Sequence, residues 1–249
     1  MYQDLSQLYG KKLGALDGAI GHVKDFYFDD QSWAIRYLVV ETGTWLSARQ
    51  VLLTPHAFAP RALGQAVEEG TGLQVNLTRK QIEESPSIDT HLPVSRQYEE
   101  EYYRYYGWPA YWEGAGMWGA SGFPMATLVI PPRTAEDRPL QGHQQRDDVH
   151  LRSTKAIAGY RVQATDGPVG SVSSFRAEAW SWGIREVVVE TGHWYSGKPV
   201  LILPENIQRI SYEDSTVFVT LSKQDIEQTM KTDIAQPVVA SIGPGDAAD

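Results

Sequence analysis

One stretch of this chain occurs twice, and that repeat restricts what the chain can fold into more than any other feature. The first copy carries Asp17-Gly18, Trp33-Ala34-Ile35-Arg36, Val39-Val40-Glu41-Thr42-Gly43, Trp45 and Val51-Leu52-Leu53-Thr54-Pro55. The second carries Asp166-Gly167, Trp182-Gly183-Ile184-Arg185, Val188-Val189-Glu190-Thr191-Gly192, Trp194 and Val200-Leu201-Ile202-Leu203-Pro204. Residues 17–58 and 166–207 align without a gap at about 19 identities in roughly 42 positions, the mark of a duplicated structural unit.

Within each copy the pattern is that of short strands. Asp17-Gly18 and Asp166-Gly167 predict a hairpin with both residues at positive φ, a type I′ turn. Ile20 and Val23, like Val169 and Val172, are apolar residues three apart, which strict alternation forbids, so a β-bulge is expected near Gly21 and Gly170. The third strand, Ala34 to Glu41 and Gly183 to Glu190, is almost continuously apolar in its second half and is expected to be buried on both faces or tightly curled. A fourth strand stops at Pro55 or Pro204. A fifth runs through Leu73–Leu77 and Val217–Leu221. Each copy closes on a helix start, Thr78 with Gln81 and Ser222 with Asp225, a hydroxyl followed three residues later by a polar acceptor. Five or six strands and one short helix in about 75 residues predict a small β-barrel, and the repeat predicts two.

The repeated units resemble PRC-barrel domains, the module named for the cytoplasmic part of the photosynthetic reaction centre H subunit. The resemblance rests on the Asp-Gly hairpins, the Ile-Arg-x-x-Val-Val-Glu strands at 35–41 and 184–190, the Pro55 and Pro204 stops, and the Leu-Thr-Arg-Lys-Gln-Ile and Leu-Ser-Lys-Gln-Asp-Ile helix starts at 77–82 and 221–226. It covers most of residues 5–85 and 152–230. It implies a mainly β fold: two small PRC-type β-barrels in tandem, each with a short terminal helix, joined by an aromatic-rich connector. The expected boundaries are 1–88 for the first barrel, 89–150 for the connector, 151–232 for the second barrel and 233–249 for a flexible tail. In relatives such a barrel caps a membrane complex and helps conduct protons to a quinone, or docks a ribosome maturation factor on a ribosomal protein. The shared property is a docking surface, and no family-wide catalytic residue is implied.

Charge and composition narrow the function classes. The net charge of −9 is spread along the chain, with −2 in residues 1–85, −4 in 86–150 and −3 in 151–249. No segment has the basic footprint of a nucleic-acid or anionic-membrane binder. The absence of cysteine removes disulfides, thiol chemistry and Cys-ligated metals. The start lacks the basic-then-apolar run of a signal peptide, and no run of about 18 apolar residues occurs, so a soluble cytoplasmic chain without a transmembrane segment is expected.

Four features compete as sites. Gly114, Gly116 and Gly119 match a dinucleotide fingerprint by letter, but an aromatic glycine-rich stretch precedes them and Ser121-Gly122-Phe123-Pro124 follows, where the motif needs a strand and a helix. Six histidines, His22, His56, His91, His143, His150 and His193, form no metal-ligand spacing, and none recurs between copies. Arg36, Glu41, Arg185 and Glu190 do recur, as do Trp33 with Trp182 and Trp45 with Trp194. One reading is a polar site used twice; the other is structural, with Arg and Glu satisfying each other or capping the Thr-Gly turn while Trp fills a barrel end.

The fourth feature is the connector. Tyr98, Tyr102, Tyr105 and Tyr106 fall at i, i+4, i+7 and i+8, with Glu99-Glu100-Glu101 between them, predicting an aromatic stripe on a short helix stopped by Gly107-Trp108-Pro109. Tyr111, Trp112 and Trp118 follow. Such a cluster either packs on a barrel or offers a sticky surface to a protein partner or a second copy. The expected function is therefore a non-enzymatic adaptor or structural module binding protein partners or itself as a homodimer, with no catalytic residue, cofactor or metal. The alternative is a small-ligand or metal-binding regulatory protein with a pocket at the barrel–barrel junction or under the aromatic helix.

Overall fold

The computed structural model describes residues 2–46, 49–59, 63, 72–86, 96–108, 150–192 and 197–234. Tyr111, Trp112, Trp118, the glycine motif at 114–119, His91, His143, His193 and Trp194 lie outside the described residues, as do the side chains of Trp45 and Tyr98. The first copy supplies β1 (Tyr2–Asp4), β2 (Lys12–Ala15), β3 (Gly18–Asp29), β4 (Ile35–Glu41), β5 (Gln50–Leu53), β6 (Leu73–Gln74) and helix α1 (Arg79–Glu83). The connector supplies α2 (Arg96–Tyr106). The second copy supplies β7 (Leu151–Ser153), α3 (Thr154–Ile157), β8 (Arg161–Ala164), β9 (Gly167–Glu178), β10 (Ile184–Thr191), β11 (Pro199–Ile202), β12 (Ile207–Ser211), β13 (Thr216–Val219) and α4 (Lys223–Ile234). Among the described residues no helix is long and apolar enough to cross a membrane.

The hairpins form, but with a different turn. Ala15 pairs with Gly18, so the loop residues are Leu16 and Asp17, and of Asp17 and Gly18 only the glycine has positive φ, at 149°. Asp17 has another task. Its Oδ1 accepts the Arg79 backbone N–H at 2.7 Å, and Asp166 accepts the Lys223 N–H at 3.0 Å. A carboxylate there satisfies one of the orphan donors at the start of the closing helix and meets the positive end of its dipole. The expected capping boxes complete these starts. Thr78 and Gln81 exchange two hydrogen bonds of 2.9 and 3.3 Å, and Ser222 and Asp225 exchange two of 2.9 and 3.2 Å.

The bulge falls where the apolar spacing placed it. Leu13 faces Gly21 and Gly14 faces Ala19, leaving Ile20 as the extra residue; Val169 is its counterpart in the second copy. Turning the strand there puts Ile20 and Val23 into the same core. It also presses Gly21 and Gly170 against the next strand's backbone. A Cβ would lie 2.0 Å from the Glu41 carbonyl oxygen at Gly21 and 1.9 Å from that of Glu190 at Gly170.

The strands make a mainly β protein with two sheets. One has the order β5-β4-β3-β2-β6, and the other β11-β10-β9-β8-β13-β12. Among the described residues neither ladder closes on itself. Each sheet gains one more strand from the opposite copy. β1 adds to β9, with Tyr2 facing Glu178 and Asp4 facing Arg176, and β7 adds to β3, with Leu151 facing Asp29 and Ser153 facing Tyr27. Matched residues sit 149 positions apart, Asp17 with Asp166, and these two registers map onto each other under that offset. The first strand of each copy therefore lies outside the sheet of its own copy.

The copies meet along the same pseudo-twofold axis. Ala34 bridges Gly183, the Ile35 N–H donates to the Trp182 carbonyl at 2.9 Å, and the Ile184 N–H donates to the Trp33 carbonyl at 2.7 Å. Trp33 and Trp182 hold φ of 58° and 57°, a conformation rare for aromatic residues, which the crossed backbone bonds enforce. Phe28, Phe58, Phe175 and Trp182 fill the space between, with ring centroids 5.5 Å apart for Phe28–Phe175 and 5.0 Å for Phe58–Trp182. One apolar core runs through both copies, and a smaller second cluster gathers Tyr37, Val39, Leu52, Tyr102 and Tyr103. Arg36 and Arg185 hold the turns that deliver the tryptophans, so the Trp pair marks the junction and not a barrel end.

Burial of the third strand differs between copies. Ile35 through Val40 of β4 are all buried, as expected, whereas in β10 Glu186 and Val188 are only half-buried. The reason is a helix that covers the outer face of the first sheet.

Candidate functional site

That helix is α2, and its inward face is Glu99, Tyr102 and Tyr103, with Tyr106 half-buried. The expected stripe of Tyr98, Tyr102, Tyr105 and Tyr106 thus needs correction. Glu99 is fully buried and Tyr103 nearly so, while Tyr105 is 40% exposed. Glu99 turns inward because Tyr37 of β4 donates its hydroxyl to Oε1 at 2.7 Å, the kind of partner a buried carboxylate needs. Tyr102 is an anchor, not a surface. Its hydroxyl donates to the Leu52 carbonyl at 2.9 Å and accepts the Thr54 N–H at 3.3 Å, closing the end of β5. Its ring meets Tyr37 edge-on at 5.9 Å.

Past Tyr102 the rings continue outward as a stack. Tyr106 lies parallel to Trp108 at 4.4 Å, Trp108 faces His56 at 5.9 Å, and Tyr105 stands edge-on to Tyr106 at 4.8 Å. The hydroxyls of Tyr105 and Tyr106 donate to the Gln81 carbonyl at the capping box, at 2.9 and 3.4 Å. Between this ladder and the first copy lies an open cleft of about 500 Å³, walled by His56, Asn76, Leu77, Gln81, Tyr105, Tyr106 and Trp108. Burial pulls the His56 pKa down to about 4 and pushes that of Tyr106 up to about 12. At neutral pH the walls are therefore uncharged, offering aromatic faces and side-chain amides.

His56 makes the fold pH-dependent in a defined window. The unfolded histidine takes a proton near pH 6.5, but the folded one resists until about 4, so stability is full above 6.5 and falls as pH drops toward 4. Between pH 7 and 4.5 the wild-type protein should lose about 2 kcal/mol more than His56→Phe, a ring that keeps the stack without titrating. Urea midpoints of the two proteins at both pH values check this.

The recurring polar residues are placed apart from this cleft. Arg36 Nη2 reaches Asp29 at 3.4 Å and Ser32 at 2.9 Å; Arg185 Nη2 reaches Glu178 at 3.0 Å and Ser181 at 3.5 Å. Burial pulls the Asp29 pKa upward, but the Ser32 and Gln31 amides and Arg36 outweigh it and hold the carboxyl below its ordinary value. Ser181 and Arg185 likewise lower that of Glu178. The expected Arg–Glu pairing is thus replaced by clamps on the two tryptophan turns, while Glu41 and Glu190 stand exposed at the other end of β4 and β10. Among the described histidines, His150 bonds Asp30 at 3.0 Å and His22 is exposed. Among the described residues no three metal-ligating side chains gather.

Of the cleft walls, Tyr105, Tyr106 and Trp108 belong to the aromatic cluster singled out from sequence, whereas the parts played by His56, Asn76, Leu77 and Gln81 were missed, yet a signal existed. Tyr27, Tyr37 and His56 are matched by Arg176, Glu186 and Glu205, so three rings of the first copy stand where the second has charged side chains. In the second copy the same place holds an Arg176–Glu186 ion pair of 2.5 Å. The junction expected to house a ligand is filled by Phe28, Phe58, Phe175 and Trp182.

No protein-family model matches this chain, and no curated protein matches its sequence.

Proposed function

We propose that the chain is a tandem pair of PRC-type barrels fused along one junction, and that it works as a non-enzymatic adaptor holding a protein partner at the α2 cleft. The open, uncharged, ring-walled cleft beside a firmly anchored helix carries this reading. Rigid Tyr and Trp side chains give large contact area at low entropic cost, the composition of protein-binding hot spots. Tyr105 stands at the rim, 40% exposed, while Tyr102 below it fixes the helix, so recognition and anchoring fall on different residues. A partner would seat an apolar side chain against Tyr105, Tyr106 and Trp108 and bond to Asn76 or Gln81.

The second reading, a small-ligand regulator, is favoured by the cleft volume, which lies in the usual range for such sites. Native mass spectrometry of the protein purified gently from its own host separates the two. A co-purifying protein, retained by wild type and lost at least about tenfold on Tyr105→Ser, is the expected result. A stoichiometric small molecule on a partnerless chain, or a partner indifferent to Tyr105→Ser, overturns the adaptor reading.

A further inference from the structure

The two crossover points, where β1 joins β9 and β7 joins β3, occupy equivalent places in the fold but hold different residues. Asp4 is matched by Ser153 and Asp25 by Ser174, so the first copy has aspartate at both positions and the second has serine at both. At one crossover the Ser174 hydroxyl donates to Asp4 Oδ1, which also accepts the Ser6 N–H at 2.9 Å and the Ser6 hydroxyl at 2.7 Å. At the other the Ser153 hydroxyl donates to Asp25 Oδ2 at 2.5 Å, while Oδ1 accepts the Phe26 N–H at 2.7 Å, the Thr154 hydroxyl at 3.0 Å and the Lys155 N–H at 3.2 Å. Each crossover thus contains one carboxylate, which accepts a backbone N–H of the turn after the added strand, and one hydroxyl that donates to it; at the second turn the Ser153 hydroxyl also accepts the Ala156 N–H at 2.9 Å. Asp25 and Ser174 are both buried.

The pseudo-twofold axis makes the alternatives countable. Two first copies meeting in this way would set Asp4 against Asp25 at both crossovers, a half-buried carboxylate against a buried one with no cation between them. Two second copies would set Ser153 against Ser174 and leave both turns with the Ser153 cap alone, without the carboxylate that accepts the Lys155 N–H and the Ser153 and Thr154 hydroxyls. Only unlike copies give one carboxylate and one hydroxyl at each place. We propose that this Asp/Ser division selects the pairing of unlike copies, so that the crossover face of each half is reserved for the other half of the chain and like halves of two chains do not pair. The connector favours closure within one chain by keeping the two halves at high effective concentration.

Four full-length variants test this. Ser153→Asp puts a second carboxylate beside Asp25 and should lower the folding constant at pH 7.5 by at least about 30-fold, read from urea midpoints. Asp25→Ser/Ser153→Asp restores one of each and should return to within about 3-fold of wild type. Asp4→Ser/Ser153→Asp keeps the composition of the wild type but matches like with like, and should double the particle mass seen by light scattering. Asp4→Ser/Ser174→Asp, with the same composition and native matching, should keep the wild-type mass. A tolerated Ser153→Asp, a failed rescue, or a wild-type mass for Asp4→Ser/Ser153→Asp each overturns the proposal.

Discussion

Gly21→Ala and Gly170→Ala should each destabilise the protein by at least about 3 kcal/mol and lower the melting temperature by about 6–12 °C. The cause is contact, not chain entropy. A methyl at either position would sit about 2 Å from a carbonyl oxygen of the neighbouring strand, Glu41 or Glu190. That oxygen cannot swing away as a flexible side chain could, because it belongs to the backbone of β4 or β10 at the point where the bulge draws the strands together. Relief requires separating β3 from β4, and the register of both strands depends on the bulge. Gly192→Ala supplies the control, since nothing lies within 4 Å of its added methyl. Calorimetry of the three variants decides the matter; equal melting temperatures would count against the close approach.

Those glycines also show what kind of information the repeat carried. Ile20 and Val23 three apart revealed the bulge because both must reach one core, a constraint written into adjacent residues. The turn was misread for the opposite reason. Asp17 is fixed by a helix N-terminus 62 residues away, so the Asp-Gly dipeptide reports a distant cap and not two positive-φ positions. The exchange of β1 and β7 left no local trace either, since three-residue strands have no periodicity to read and their partners lie in the other copy.

Agreement and disagreement between the copies separate fold from site. Arg36 with Arg185 and Trp33 with Trp182 recur, and they serve the junction that both copies share. Tyr37, His56 and Tyr27 do not recur, and they lie by the helix and cleft that, among the described residues, stand on the first copy. Glu99 was left out of the expected stripe, since a glutamate is seldom fully buried without a partner. Its true position depends on the Tyr37 hydroxyl, and thus on knowing which sheet face α2 covers.

Tyr102→Ala should release α2 from the first sheet. The ring is fully buried, and its truncation removes about 3–5 kcal/mol of packing, with a further contribution from the bonds to Leu52 and Thr54. The helix is short and outside the strand ladder, so this loss should exceed what holds it while the sheets beneath keep their pairing. Trypsin cleavage after the exposed Arg104 should then accelerate by a factor on the order of 10³, the ratio that about 4 kcal/mol implies. Tyr102→Phe keeps the ring and loses only the hydroxyl, so its cleavage should rise about 10-fold, the ratio for about 1–1.5 kcal/mol. Tyr105→Ala should leave cleavage within a few-fold of wild type, because that residue sits at the rim. If Tyr102→Ala instead lowers the single melting transition of the whole chain without selective cleavage at Arg104, α2 is part of the same cooperative unit as the sheet. The cleft would then be as rigid as the core on which it stands.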